Sequence, residues 1–281
     1  MKKKLLLTCL ITFCELFIFC NFTSAQNVYR RKPMFADAAL TGFAEYPPFG
    51  YVKKKSFHTV FRPMINDLIK EKKLLLDSEK TNPNLEKITN AVRQGNLDIF
   101  LGAYHETEIF GGIELIYPAV LTNPITIFML PARINDVKNI NDLQKLKGAR
   151  HASEYFSDFV EEKLQAFNVE KVNTSYELFE KLFTHQIDYI VASQYFGLIE
   201  ASKLGLRGQI SVAKQALWQI PMFIGISQLS RHRQALHNIF TEYLRNPENI
   251  EKIRKNVIDL VNQAEADAIG IVPPDFEKTV K

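Results

Sequence analysis

The chain has 281 residues, of which 46% are hydrophobic, 11% aromatic and 23% charged. This composition is ordinary for a globular protein and excludes collagen-like, disordered and disulfide-framework classes. The formal charge of +4, from 35 Lys and Arg against 31 Asp and Glu, is small, and no motif indicates nucleic-acid binding.

The first 25 residues have the pattern of a secretory signal peptide. Three lysines at positions 2–4 precede an apolar run from Leu5 to Phe22, and Thr23 and Ala25 supply the small residues that signal peptidases require. Cleavage after Ala25 would leave a chain with a net charge of +2. All three cysteines precede that point, so we expect no disulfide, thiolate metal site or cysteine nucleophile in the mature chain.

Two alternatives for this segment stay open. Cys20 could carry a lipid, although Phe19 stands where lipoprotein signals have a small residue. The segment could also remain as an uncleaved anchor, which the carboxylate of Glu15 inside the apolar run disfavours. No later stretch approaches the ~20 apolar residues that span a bilayer.

The first half of the remaining chain predicts a strand–helix–helix–strand order. Residues 38–44 form a predicted strand, which ends at the double proline after Tyr46 because proline removes a ladder donor. Residues 60–76 and 85–92 have helical apolar spacing, and the short apolar run at residues 97–102 is typical of a buried parallel strand. This order is characteristic of α/β proteins.

The second half continues the alternation. Apolar runs predict buried strands, apolar positions at helical spacing predict helices, and Ser153 is the predicted N-cap of the helix that follows it. In chain order the predictions are a strand at 125–130, helices at 140–146, 153–164 and 176–183, a strand at 187–192, a helix at 197–204, a strand at 221–226, helices over 231–263 and a loose tail from Val272.

The order and spacing of several motifs resemble those of the extracytoplasmic solute-binding proteins of ABC importers, family 3, typified by binders of polar amino acids. The resemblance extends over about residues 38–260. It rests on Tyr46-Pro47-Pro48-Phe49, Gln94-Gly95-Asn96-Leu97-Asp98, Tyr117-Pro118, Asp142-Leu143 with Lys147-Gly148, and Gln186-Ile187-Asp188.

The resemblance implies an α/β, two-lobed, type II periplasmic binding fold with a discontinuous first lobe. Lobe 1 would hold residues 26–128 and 228–281, and lobe 2, an insertion, residues 129–227. A ligand would lie in the cleft, beyond the carboxyl ends of the strands, and the lobes would close on it by a hinge at 128–131 and 226–229. It also implies a monomeric periplasmic receptor, without cofactor or metal, that delivers a small molecule to a membrane ABC permease.

Two departures from the family pattern argue against a standard α-amino acid as the ligand. The arginine that holds the ligand carboxylate in the family corresponds to Ile109, and the aspartate that holds its ammonium corresponds to Ser193. Burying a zwitterion without paired charges is costly. The expected ligand is therefore aromatic, apolar with polar ends, or cationic and bound through ring faces.

The candidate ligand-binding residues are those that follow the predicted strands at the cleft. Each has a structural alternative, such as closing a lobe edge, capping a helix or packing in the core. The candidates are Glu45, Tyr46, Phe49, Tyr104, His105, Glu106, Ser153, Glu154, Tyr155, Ser193, Gln194, Tyr195 and Trp218.

Two rival functions stay open on the same fold. A periplasmic sensor or adaptor would present the ligand to a membrane kinase instead of a permease. A dehydratase-like enzyme would use His105 and Glu106 as an acid–base pair, although adjacent residues at a strand end often point apart. The remaining histidines are too scattered to predict a metal site.

Overall fold

The structure is a computed structural model that describes residues 39–42, 46–53, 56–71, 73–78, 85–105 and 111–276. The predicted signal peptide lies outside these residues, as do the candidates Glu45 and Glu106 and the departure at Ile109.

The described strands form one large mixed sheet and one hairpin. The strands are β1 (Ala39–Gly42), β2 (Tyr51–Lys53), β3 (Ser56–His58), β4 (Leu76–Ser78), β5 (Ile99–Ala103), β6 (Ile113–Met129), β7 (Gly148–His151), β8 (Val169–Val172), β9 (Tyr189–Ser193), β10 (Ser211–Val212) and β11 (Trp218–Ser227). The sheet order is β4-β1-β5-β11-β6-β9-β7-β8, with β10 paired to β6, and β2 pairs with β3.

The described helices cover this sheet. The α-helices are α1 (Arg62–Lys70), α2 (Leu85–Arg93), α3 (Asp158–Leu164), α4 (Ser175–Phe183), α5 (Gln194–Lys203), α6 (Arg233–Leu244) and α7 (Pro247–Asp267), and 3-10 turns occupy Pro131–Asp136, Ile140–Lys145 and Arg207–Gln209. Each α-helix buries an apolar stripe, as Ile88, Ala91 and Val92 do on α2, and this burial drives helix docking.

The sheet has two parallel parts, which we call the first and second half-sheets. In the first half-sheet β4, β1 and β5 are parallel, and in the second half-sheet β8, β7 and β9 are parallel. Both parts are almost fully buried along β5 and β9, as expected for strands covered on two faces. The carboxyl ends of β1 and β5 therefore meet at one edge, and those of β7 and β9 at another.

Two long antiparallel strands, β6 and β11, join the half-sheets. Residues 113–116 of β6 pair with 224–227 of β11, which also pairs with β5. Residues 121–125 pair with 218–222, and residues 125–128 then pair with β9. A register shift in β11 between Met222 and Ile224 separates the two pairing regions. The chain thus passes between half-sheets in the middle of both strands.

Several predicted boundaries differ from the observed ones. The helix predicted to reach residue 76 ends at Lys70, because the amides of Lys73 and Leu74 bond to the Leu68 carbonyl and turn the chain into β4. The strand predicted to begin at Ile125 begins at Ile113, since Pro118 and Pro124 are accommodated within β6.

The predicted N-cap at Ser153 is also wrong. The helix begins four residues later, and Ser157 caps it by accepting a bond from the Val160 amide. Ser153 is exposed, and its hydroxyl lies 2.7 Å from His151 Nδ1. The chain between β7 and α3 is therefore an irregular loop, and this loop carries Glu154.

The tail predicted to be loose from Val272 is anchored through Phe276. Its side chain is 4% exposed and joins the core of the second half-sheet, with ring centroids 5.4 Å from Tyr176 and 5.3 Å from Phe183. Val272 itself is 85% exposed.

A close approach of α5 to β6 gives a first testable prediction. A Cβ atom at Gly197 would lie 2.4 Å from the ring of Phe128, which is fully buried. Because a packed ring cannot shift freely, we expect Gly197→Ala to lower the free energy of unfolding by about 1–2 kcal/mol in urea titrations. Adding Phe128→Leu should recover part of that loss.

Gly208→Ala is the matched control for this prediction, since a Cβ there meets nothing within 4 Å. It should change the free energy of unfolding by less than about 0.5 kcal/mol. Equal effects of the two alanines would contradict the close approach.

Candidate functional site

A buried hydrogen-bond network joins the two half-sheets where their strands end. Tyr46 follows β1, Tyr104 follows β5, Glu154 follows β7 and Ser193 ends β9. Asn123 lies in the middle of β6, on the strand that both half-sheets share. The carboxyl ends of parallel strands are where α/β proteins bind ligands.

Asn123 is the centre of this network. Its Nδ2 donates to the Tyr104 hydroxyl at 3.2 Å and to the Tyr46 hydroxyl at 3.4 Å. Its Oδ1 accepts from the Ser193 hydroxyl at 2.6 Å. Both Asn123 and Ser193 are fully buried. One amide therefore holds tyrosines from the first half-sheet and a serine from the second.

Glu154 makes the direct link between the half-sheets. Its Oε1 accepts from the Tyr46 hydroxyl at 3.0 Å and from the Ser193 amide at 2.9 Å. Its Oε2 is buried and has no hydrogen-bond partner among the described residues. Burial raises the pKa of Glu154 to about 8, and these two hydrogen bonds oppose the rise only in part. Glu154 is therefore mostly a neutral acid at pH 7.

The nearest cation does not neutralise Glu154. The guanidinium of Arg150 makes a bidentate ion pair with Glu161, in which Arg150 Nη1 lies 2.6 Å from Glu161 Oε1. Its contact with Glu154 is to the backbone carbonyl, at 3.4 Å. Arg150 thus stabilises the loop after β7 and its junction with α3. The side chain of Glu154 has no ion-pair partner in the described part of the chain.

Aromatic rings surround the network. Tyr46 lies with its ring centroid 5.3 Å from Phe49 and 5.6 Å from Phe196, and Phe49 meets Tyr195 edge-on at 6.2 Å. Tyr104 and Tyr155 lie 6.5 Å apart. Burial, followed by the charge of Glu154, raises the pKa of Tyr46 well above its usual value. The Tyr46 hydroxyl therefore stays a hydrogen-bond donor at all physiological pH values.

A cavity of about 30 Å³ lies beside the network on the side of the first half-sheet. This volume holds one or two water molecules. Its lining residues are Tyr46, Phe49, Leu85, Phe100, Leu101, Gly102, Tyr104 and Met222. The side chains of the two half-sheets thus meet directly at the candidate site, through the Tyr46–Glu154 and Asn123–Ser193 hydrogen bonds.

The structure brings together six of the predicted site residues. Tyr46, Tyr104, Glu154 and Ser193 share the hydrogen bonds, and the rings of Phe49 and Tyr195 pack beside them. That these residues bind a ligand stays a prediction.

The other candidates in the described residues lie at the margin or away from it. Tyr155 faces Tyr104, but its hydroxyl bonds to Asp158. Gln194 is half-buried at the start of α5, and Trp218 is half-buried at the start of β11, packed against the core. Ser153 and His105 are exposed.

Sequence reasoning missed Asn123 and Phe196. Asn123 carried no distinctive signal, since Thr122-Asn123-Pro124 is typical of a turn between the apolar stretches that end at Leu121 and begin at Ile125. Its role depends on β6 crossing between half-sheets, which the expected strand start at Ile125 concealed. Phe196 had no distinctive signal either, because a phenylalanine near a helix start is typical of core packing.

The network gives a second prediction, for Ser193→Ala. The change removes the donor to Asn123 Oδ1, and it also removes the cap that accepts from the Phe196 amide at 3.5 Å. We expect the free energy of unfolding to fall by about 2–3 kcal/mol in urea titrations. Ser153→Ala, on an exposed serine, is the control and should cost less than about 0.5 kcal/mol. Comparable losses would show that the buried network is absent.

No protein-family model and no curated protein sequence matches the chain. Solved structures do match it by shape. One is the GluR0 ligand-binding core in complex with L-glutamate, at 14% identity and a TM-score of 0.64, covering 79% of this chain and 99% of that one. Another is a histidine kinase sensor domain with similarity to periplasmic binding proteins, at 14% identity and a TM-score of 0.59, covering 84% and 98%.

A third is the amino-acid ABC transporter substrate-binding protein AbpA from Streptococcus pneumoniae, bound to L-arginine. It is 12% identical, with a TM-score of 0.58, and the match covers 83% of this chain and 96% of that one. The chain has the two-lobed, type II periplasmic binding fold. The expected fold class is confirmed, and the structural neighbours include amino-acid-binding proteins of the kind that the sequence motifs resembled.

The described residues contain neither a membrane-spanning helix nor a cluster of metal ligands. None of their helices is both long and apolar enough to cross a membrane. No group of three or more potential metal ligands occurs among them.

Proposed function

We propose that this protein is an exported solute-binding protein that captures a small molecule between its two lobes and delivers it to a membrane ABC permease. The observation that carries the proposal is the buried network of Tyr46, Tyr104, Asn123, Glu154 and Ser193. Polar side chains from both half-sheets converge there, at the carboxyl ends of the parallel strands, inside an aromatic frame. Such convergence of a few polar groups in apolar surroundings is typical of ligand sites.

We propose that the lobes are joined by the middle of β6 and β11. Residues 125–128 of β6 already pair with β9, and residues 223–226 of β11 still pair with β5. The crossing segments are then residues 117–124 and 218–222, earlier in both strands than the expected hinges at 128–131 and 226–229. Asn123 lies inside the first crossing segment, and from there it bonds to side chains of both half-sheets.

The contacts of Ser193 support a ligand other than a standard α-amino acid. Its hydroxyl and amide are both used within the protein, by Asn123 and Glu154. Among the described residues of the network the only acidic group is Glu154, and Arg150 is committed to Glu161. Within the described network a zwitterion would therefore meet no free cation for its carboxylate.

Delivery to a permease and presentation to a kinase are the two uses we distinguish. The likeness to AbpA supports the first, and the likeness to the sensor domain supports the second. Deleting this chain in its host should abolish uptake of the radiolabelled ligand if the permease role is correct. Unchanged uptake would favour the sensor.

The enzyme alternative has less support. The imidazole of His105 is exposed, 6.5 Å from the ring of Phe223, and it makes no bond to the buried network in the described residues. We therefore propose binding without turnover.

The experiment that tests the proposed function is a thermal-shift screen of the purified protein against a broad metabolite library. A compound that binds only the folded state raises the melting temperature by mass action, by an amount that grows with its concentration. The bound compound should be recovered chemically unchanged in mass spectrometry. Failure of every compound to shift the transition, or recovery of a converted product, would contradict the proposal.

A further inference from the structure

The unpartnered oxygen of Glu154 is the strongest unexplained feature of the described residues. The side chain is 3% exposed, and Oε1 is satisfied by a tyrosine hydroxyl and a backbone amide. Oε2 is equally buried and bonds to nothing that the structure describes. Buried polar atoms are almost always paired, so an orphan of this kind calls for an external partner.

We propose that Glu154 is the recognition group for a cationic ligand, and that Oε2 accepts a hydrogen bond from the ligand's protonated amine or guanidinium. This inference rests on the proposed function, and it names the ligand class for the same site. The ligand would lack a carboxylate next to its cation.

The aromatic rings packed around Tyr46, which donates to Glu154, favour a cation over a neutral donor. The Tyr46 ring packs against Phe49 and Phe196. Ring faces attract ammonium and guanidinium groups, most strongly where water is excluded. A buried carboxyl group with aromatic rings close by offers organic cations both a charge-assisted hydrogen bond and ring faces.

The charge balance of the site also favours a cationic ligand. A buried carboxylate needs a countercharge, and Arg150 already pairs with Glu161. An incoming cation would supply that countercharge, and Glu154 would therefore ionise as the cation binds. The pKa of Glu154, raised to about 8 by burial, means that the acid holds its proton at neutral pH until then.

Binding should therefore release a proton. At pH 7 close to one proton should leave per ligand, from the carboxyl of Glu154 to solvent. The other titratable or charged groups near this carboxyl come from the loop after β1, from β5, from β7 and from α5. They are Tyr46, Tyr104, Arg150, His151 and Glu200. Burial lowers the pKa of His151, so its imidazole is neutral above pH 7 and does not mask the release.

The test uses matched pairs of probes that differ in charge but hardly in shape. Phenethylamine is compared with 2-phenylethanol, putrescine with 1,4-butanediol, and phenylguanidine with phenylurea, each up to 10 mM. Binding is measured by thermal shift and calorimetry at pH 6, 7, 8 and 9. We expect the cationic member of a pair to bind. Its affinity should rise about tenfold per pH unit up to pH 8 and then level off.

Glu154→Gln and Glu162→Gln are the variants. Glutamine keeps the Oε1 acceptor but cannot ionise, so Glu154→Gln should weaken cation binding at least about 30-fold and abolish proton release. Glu162 is an exposed carboxylate on α3, and its change should leave both unaltered. Infrared difference spectra should show loss of a protonated carboxyl band when the cation binds to the unchanged chain, and no such loss in Glu154→Gln.

Three outcomes would overturn the inference. They are tighter binding of the neutral member of a pair, equal cation binding by Glu154→Gln, and absence of binding by every amine and guanidine tested. The metabolite library decides separately whether the proposed function stands. A neutral or anionic compound that binds in that screen would support the receptor role and contradict only the inference of a cationic ligand.

Discussion

Glu154→Gln should make the protein more stable than the unchanged chain at pH 8, by up to about 4 kcal/mol, and this advantage should disappear near pH 4.5. The folded chain holds the Glu154 proton up to about pH 8, whereas the unfolded chain releases it near 4.5. The folded state therefore binds more protons across this window. Its stability falls as pH rises through the window, and glutamine removes that loss.

Urea titrations of both chains at pH 4.5, 6, 7 and 8 measure this effect. The difference in the free energy of unfolding should grow steadily with pH, by about 1.4 kcal/mol per unit in the middle of the window. Glu162→Gln, on the exposed face of α3, should show no such growth. A difference between Glu154→Gln and the unchanged chain that stays constant with pH would mean that Glu154 is ionised in the folded protein.

Phe276→Ala is expected to cost about 3–4 kcal/mol of the free energy of unfolding. Phe276 is 4% exposed, and its ring lies against Tyr176 and Phe183 of α4, in the core of the second half-sheet. Removing it leaves a void between these rings and frees the segment that follows α7. The loss should be visible as a lower urea midpoint with an unchanged slope.

Val272→Ala is the matched control for the tail, because Val272 lies in the same segment but is 85% exposed. It should cost less than about 0.5 kcal/mol. If the two alanines have similar effects, the tail is not anchored in the core.

The sequence predicts the alternation of strands and helices because apolar periodicity is a local signal. The helix at 175–183 and the strand at 189–193 lie within two residues of their predicted positions. The length of β6 could not be predicted in this way. Prolines at 118 and 124 usually interrupt a ladder, and only the pairing with β11 shows that the strand continues through them.

The candidate site was predictable as a set of strand ends but not as a network. Tyr46 and Glu154 are 108 residues apart, and nothing local indicates that the hydroxyl of one meets the carboxyl of the other. The orphaned Oε2 and the raised pKa of Glu154 follow from burial, which depends on how the half-sheets face each other. Phe276 was missed for a related reason, since a proline-rich segment indicates a loop whether or not its last aromatic residue is anchored.

Helix α7 has a mechanical consequence for any opening of the lobes. It holds the first half-sheet through Asn256, which donates to the Val60 carbonyl at 3.0 Å, and through Lys252, which bonds to Asp67 on α1. Its Val261 and Ala264 pack with the core of the second half-sheet, and the helix lies along α5. A wide opening of the two halves would break the contacts of α7 with one of them. The amplitude of any separation of the two halves should therefore be limited by the contacts that α7 makes with both of them.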